Sequence, residues 1–313
     1  MQSTVAKEIR FDGVGLHSGA PVCLELSPAP SGHGIVFVRS DIAGDKTETR
    51  AARIPARWDA VVPSQLCTLI RNEDGVELST IEHIMAALAG CGVTNVIVSV
   101  DGPEVPILDG SAAPFVDGIL AAGLVRQDGP ARALKILKPV QVETETAIAR
   151  LEPSDTMEIE FHIDFADRAI GVQDKHLVMA NGAFVRELSN CRTFCRQAEV
   201  DMMQANGLAL GGVAGENAVV FDDDKVNGGP SGLRHADEPV RHKMLDALGD
   251  LYLAGAPILG RYVGEKSGHA VTNALLRKLF ATPGAWAFVT VDAKTASRLP
   301  GAGVSRADLA FCA

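Results

Sequence analysis

Twice along this chain a set of short, alternating strands gives way to helical segments, and a polar stretch bearing glycine and proline, residues 126–132, stands between the two sets. Strands first and helices afterwards is the order of an α+β domain, with helices gathered on one face of a mainly antiparallel sheet. In the first half, residues 22–26, 35–39, 65–70 and 94–100 read as strands, and residues 79–90 and 111–122 as helices. In the second half, strands are expected at residues 134–142, 147–151, 157–165, 218–221, 259–263 and 286–291, with helices near 182–188, 198–205, 239–254 and 273–281. The fold class is therefore α+β, in two related domains at residues 1–128 and 133–313, although no repeat is visible residue by residue.

With 313 residues, 47% of them hydrophobic, the chain can build cores for two domains. No apolar run approaches the roughly 18 residues that cross a bilayer, and the N-terminus lacks the apolar centre of a signal peptide, so a cytoplasmic protein without a transmembrane segment is expected. A net charge of −10 without a Lys/Arg cluster argues against a nucleic-acid partner. The six cysteines, Cys23, Cys67, Cys91, Cys191, Cys195 and Cys312, form no Cys-x-x-Cys pair and read as reduced thiols. Nothing in the residues speaks to oligomeric state.

The helix expected at residues 239–254 carries the densest chemistry. Asp237 is its candidate cap, Pro239 suits the first turn, and Gly255 and Pro257 stop it. At about 100° per residue, Met244, Leu245, Leu248, Leu251 and Tyr252 share one arc, while His242, Lys243, Asp246 and Asp250 share the opposite one. His242 and Asp246, one turn apart, can reach a single ion, and Asp250 a turn further can hold a ring or a water. A solvated i,i+4 pair would look the same.

In the helix at residues 79–90, Ser79 and Glu82 have the spacing of a capping box and Gly90 that of a terminator. His83 lies opposite the stripe Ile81, Ile84, Met85, Leu88, near a helix N-terminus that disfavours imidazolium. The loop residue His17 reads as a hydrogen-bonding or solvent-exposed ring. Asp101, Glu104 and Asp109 read as turn formers, and His162 and Asp164 as the polar face of a strand. The run of aspartates at residues 222–224 lacks the spacing of a calcium loop.

Glu82-His83, His242 with Asp246 and Asp250, and His269 thus supply ligands and acid/base groups from separate stretches. Two imidazoles plus one carboxylate make a catalytic zinc set with an open position. Hydrolysis also needs a base for water and an acid for the leaving amine, for which Glu82 and His269 are the candidates.

The stretches at residues 13–19, 79–90, 107–116, 240–251 and 266–269 occur in the order, and with the residues, of the UDP-3-O-acyl-N-acetylglucosamine deacetylases, the zinc amidases of lipid A synthesis in Gram-negative bacteria. The chain resembles that family over nearly its whole length. The resemblance implies Zn2+ held by His83, His242 and Asp246, with Glu82 as general base. It also implies His269 as the cation that protonates the amine, oriented by Asp250. Thr193 would stabilise the developing oxyanion, Lys243 would lie at the substrate and Lys266 near its diphosphate, with Phe194 and Cys67 also at the substrate, Cys67 close to the metal without binding it. The implied architecture sandwiches the helices between the two sheets, with the active site between the domains.

Cys195-Arg196-Gln197 departs from the glycine and apolar residue common in relatives, and His235 stands where an aromatic is common and reads as a surface ring. An acyl chain needs an apolar passage, for which residues 193–212, with Val200, Met202, Met203, Leu208 and Leu210, are the candidate source. Two other functions remain open from sequence: a non-catalytic nucleotide-sugar or lipid-binding module, and a zinc deacetylase of another acetamido sugar.

Overall fold

The computed structural model describes residues 1–43 and 50–311. It is α+β. A five-stranded sheet runs in the order Ile9–Val14, Pro21–Pro28, Val96–Val100, Ile35–Arg39, Arg53–Pro55, parallel only where Ile35–Arg39 meets Val96–Val100. A seven-stranded sheet of the second half follows the order Val140–Glu143, Ile148–Pro153, Ile258–Glu265, Arg132–Ile136, Trp286–Thr290. Met157–Asp164 adds to Ile258–Glu265 in parallel and carries Val172–Val178 as an antiparallel neighbour. Residues of Met157–Asp164 alternate buried and less buried, so its apolar set faces the core.

Between the sheets lie the Glu82–Cys91 and Glu238–Tyr252 helices, packed on each other. One continuous core joins Leu24, Phe37 and Val98 of the first sheet, Met85 and Leu88 of one helix, Leu248 and Leu251 of the other, and Leu151 and Ile159 of the second sheet. Every residue of Glu82–Cys91 is buried, and Glu238–Tyr252 is buried except at Arg241 and Lys243. The polar arc of His242, Asp246 and Asp250 therefore faces a protein-lined interior rather than bulk water.

Gly249 sets how closely these helices approach. A Cβ added there would lie 2.1 Å from the Glu82 carbonyl oxygen. Gly90, expected as a terminator, lies inside its helix instead, where a Cβ would meet the Phe184 ring; the helix ends at Gly92, in the left-handed region at φ 74°.

Other local expectations also change. The capping box is not formed: Thr80 takes φ 61°, the Ser79 hydroxyl donates to the Pro103 carbonyl, and the Glu82 carboxylate accepts from the Thr68 N–H. Asp237 caps nothing and pairs with Lys175 and Arg241. The expected linker begins inside a strand, Leu124–Gln127, paired with Gln2–Val5. The expected strand at residues 134–142 is broken before Val140, because Pro139 has no N–H to give a ladder. The strand Val172–Val178 has no counterpart in the sequence reading, since its residues are largely polar and exposed at a sheet edge. Cys23, Cys67, Cys91, Cys191 and Cys195 are free thiols, and Cys312 lies outside the described residues. Among the described residues no helix is long and apolar enough to cross a membrane.

Gly249→Ala should destabilise the protein. Alanine gains about 1 kcal/mol of helix propensity over glycine, whereas overpacking against a backbone oxygen costs about 1–3 kcal/mol or more, because no rotamer change can relieve it. Denaturant unfolding should therefore show a lower midpoint, and a higher one would mean that the helices are not held at this contact.

Candidate active site

Where the two helices cross, His83 from one meets His242 and Asp246 from the other. Their candidate ligand atoms lie within 4.8 Å of one another, and all three residues are buried. The His242 Nδ1–H donates to the Cys191 carbonyl at 3.0 Å, which leaves the Nε2 lone pair free. Phe194 sets its ring edge against the same imidazole, with centroids 6.3 Å apart. Asp246 Oδ1 is 3.4 Å from His242 Nε2 and 3.6 Å from His83 Nε2, and this buried oxygen accepts no hydrogen bond among the described residues.

An orphaned carboxylate oxygen between two imidazole nitrogens is unfavourable unless a cation completes it. Protonation states agree. Burial, and the neighbouring His242, push His83 down to about 3, and burial lowers His242 as well, so both rings are neutral donors. Burial opposes the Asp246 charge, but His242, Lys243 and His269 outweigh it and hold the carboxyl at about 2. Neutral imidazoles with an anionic carboxylate form a donor set that fits a divalent metal.

A second group faces this one. His269, first residue of the His269–Ala281 helix, places Nδ1 2.8 Å from Asp250 Oδ2, and its Nε2 lies 3.9 Å from Glu82 Oε1 and 4.0 Å from Asp246 Oδ2. Burial works against the His269 cation, yet Asp250 and Glu82 more than compensate and raise it to about 9. Burial raises Glu82 to about 7, with His269 pulling the other way. Between those values the carboxylate is a base while the imidazole is an acid.

Thr68, for which the sequence offered no signal, ties the group together. Its hydroxyl donates to Asp250 Oδ1 at 2.5 Å and lies 3.2 Å from His269 Nδ1, while its N–H donates to Glu82 Oε2 at 3.0 Å. The buried Arg192–Glu238 pair, also unanticipated, anchors the chain before Thr193: Arg192 Nε donates to Glu238 Oε1 at 3.0 Å, and its Nη1 and Nη2 donate to the Gly228 and Gly232 carbonyls.

Glu82, His83, His242, Asp246 and His269 open into a cavity of about 380 Å3 lined also by Thr193, Phe194 and Lys243, whose Nζ is 3.6 Å from Asp246 Oδ2. A neighbouring cavity of about 450 Å3 is lined by Val200, Met202, Met203, Ala209 and Val220, and the two share Leu16, His17, Leu66, Thr193, Phe194 and Glu199.

Leu210, Lys266 and Cys67, singled out from sequence, lie outside both linings, as do Asp250 and Leu208. Leu210 is 58% exposed, and Ala209 beside it lines the second cavity. Lys266 donates to Asp164 at 2.7 Å on the surface. Cys67 is buried next to Ser64, and burial together with the Glu82 charge raises its thiol to about 11. His235, expected at the surface, is half-buried and bonded to Asn190. Glu104 is more than a turn former, since its carboxylate accepts from the N–H groups of His17 and Ser18 and from the Thr80 hydroxyl.

Known proteins similar to this chain share one description. Residues 2–281 match the family model described as UDP-3-O-acyl N-acetylglycosamine deacetylase. The chain is 45% identical over 306 residues to a UDP-3-O-acyl-N-acetylglucosamine deacetylase of Shewanella oneidensis, covering 96% of this chain and 97% of that one. It is 46% identical over 293 residues to the protein of the same description from Shewanella sp. strain W3-18-1, covering 93% of each. A relative from Shewanella baltica is 44% identical over 309 residues, covering 97% of this chain and 98% of its own. A match of this extent leaves one assignment: the chain belongs to the UDP-3-O-acyl N-acetylglycosamine deacetylase family.

Proposed function

We propose that this protein is a cytoplasmic zinc amidohydrolase that releases acetate from UDP-3-O-(3-hydroxyacyl)-N-acetylglucosamine in lipid A biosynthesis. One observation carries the reading: a base, Glu82, and an acid, His269, face each other beside the His83–His242–Asp246 donor set in one cavity. Nitrogen and oxygen ligands in a set of three suit Zn2+. When bound, zinc supplies Lewis acidity to the acetamide carbonyl and to water.

The protein's own groups then divide the work. Glu82 takes a proton from the attacking water as the new C–O bond forms. The Thr193 hydroxyl, at the cavity wall, donates to the oxygen that gains charge, and Lys243 adds a positive charge on the same side. His269 passes its Nε2 proton to the nitrogen as the C–N bond breaks, so acetate and a free amine leave. Asp250 and Thr68, both at Nδ1, keep His269 oriented with Nε2 toward Glu82. Phe194 steadies the His242 ring, and Cys67 stays a buried thiol beside Ser64.

The second cavity takes the acyl chain, with Met202 and Met203 as adaptable apolar walls and Leu210 at the exposed rim. Lys266 serves the diphosphate at the outer edge, where it exchanges Asp164 for the phosphate oxygens. In this reading residues 1–128 and 133–313 form the two domains that bring Glu82-His83 and the other site residues together.

Ligand assignment is checked by metal content. His83→Ala, His242→Ala and Asp246→Ala should each bind less zinc, whereas Glu82→Gln should keep it and lose most turnover. Full occupancy in His83→Ala would remove His83 from the set.

The rate should follow a bell in pH. It rises as Glu82 loses its proton, near or below about 7 because a bound cation favours the carboxylate, and falls as His269 loses its proton toward about 9. A His269→Ala enzyme that kept most of its rate and its basic limb would exclude His269 as the acid.

Each buried methylene contributes roughly 0.8 kcal/mol at most, so a substrate four carbons shorter should lose about 3 kcal/mol in transition-state binding, on the order of a hundredfold in kcat/KM. A flat response across acyl lengths would show that the chain does not enter the second cavity.

A further inference from the structure

We infer that His17 is a positioning residue that hydrogen-bonds an oxygen of the substrate's acyl linkage where the sugar site opens into the acyl cavity. The inference rests on the function proposed above and adds to it a polar contact that discriminates acylated from bare sugar nucleotides.

Both ring nitrogens of His17 are buried, and neither has a hydrogen-bond partner among the described residues. A neutral imidazole carries one N–H and one lone pair, and leaving each unsatisfied costs about 1–3 kcal/mol. Nothing in the fold requires that cost. The loop is held through its backbone: the His17 N–H donates to Glu104 Oε1 at 2.8 Å, and the Ser18 N–H to Oε2 at 3.0 Å. From the other side the Leu210 N–H donates to the His17 carbonyl at 3.2 Å, and the Gly211 N–H to the Leu16 carbonyl at 3.0 Å. An apolar side chain at this position would leave all four bonds intact and remove the penalty. Burial also lowers the His17 pKa, only partly offset by Glu104, so the ring is neutral and offers both a donor and an acceptor.

Position supplies the ligand chemistry. His17 is one of the residues shared by the two cavities. The reacting acetamide and the acyl ester sit on adjacent carbons of the sugar, so a substrate with its amide between Glu82 and His269 sends its ester through that junction. The other shared side chains are Leu16, Leu66 and Phe194, which are apolar, Thr193, assigned to the amide oxygen, and Glu199, which accepts from the Arg196 N–H and side chain. His17 is the polar group at the junction with both bonding positions open. Its N–H suits the ester carbonyl, and its lone pair suits the hydroxyl on the acyl chain.

The test uses full-length, metal-loaded enzyme and the variants His17→Ala, His17→Phe and His17→Gln. Four quantities are measured: kcat/KM on the acylated substrate, the Kd of its deacetylated product, the Kd of UDP, and zinc content. His17→Ala and His17→Phe should lose about ten- to hundredfold in kcat/KM and in product affinity, while UDP binding and zinc content stay at parental values. His17→Gln, which retains a donor and an acceptor, should stay within a few-fold of the parent. Parental kcat/KM in His17→Ala overturns the inference, as does a loss matched in UDP affinity or zinc content, which marks a structural role. So does a His17→Gln enzyme as impaired as His17→Phe. A parent that releases no acetate from the acylated sugar would sink the proposed function, and the affinity for the 3-O-acylated amine then decides His17 by itself, an unchanged Kd in His17→Ala overturning the inference, which separates the two failures.

Discussion

The contact between the Glu82 carbonyl and Gly249 is the constraint on which the site depends. Two helices meet there backbone to backbone, and no side chain fits between them. The approach lets short side chains, His83 on one helix and Asp246 on the other, bring their ligand atoms together without long, mobile linkers. It also buries the polar arc of the Glu238–Tyr252 helix, so the imidazoles stay neutral, the Glu82 carboxyl is pushed up, and His269 is cationic only because Asp250 and Glu82 overcome its burial. Close packing and perturbed acid/base chemistry have one cause.

Around that crossing, the polar groups fall into two sets with different satisfaction. Asp250, Thr68 and His269 complete each other with hydrogen bonds, and Arg192 with Glu238 does the same deeper in. Asp246 Oδ1 and the His17 ring nitrogens have no such partners among the described residues. Of the buried side-chain atoms without a partner among the described residues, Asp246 Oδ1 and the His17 nitrogens are the ones whose residues line the active-site cavity, whereas the others are arginine Nε atoms away from it. Asp246 and His17 lie along one path, from the donor set through the shared wall of the two cavities. The path is consistent with a substrate that carries an amide at one end of its reach and an apolar chain at the other.

Much of the site was legible in one dimension because helical spacing is local. The one-turn separation of His242 from Asp246, and of Asp246 from Asp250, needs only a helix to become a shared face. The strands that alternate clearly, such as Pro21–Pro28 and Met157–Asp164, were likewise readable, since one buried face writes itself into every second residue. The edge strand Val172–Val178 was not, because a strand exposed on much of its surface has no apolar alternation to show. The apparent capping box failed for a related reason. Ser79 and Glu82 had the right spacing, but Thr68 and Pro103, distant in the chain, offered them other partners.

By itself, then, the sequence determined the fold class, the helix that carries His242, Asp246 and Asp250, and the family whose motifs the chain bears in order, because each of these follows from periodicity or from residue identity along the chain. Tertiary structure alone decided which carboxylate is orphaned, that Thr68 bonds both Glu82 and Asp250, that Ala209 rather than Leu210 lines the second cavity, and that His17 stands at the junction with neither nitrogen bonded among the described residues. The physical reason is that burial and hydrogen-bond satisfaction depend on which distant segments meet, and residues 17, 68, 104, 193 and 269 come from separate segments whose neighbours are set by the tertiary fold.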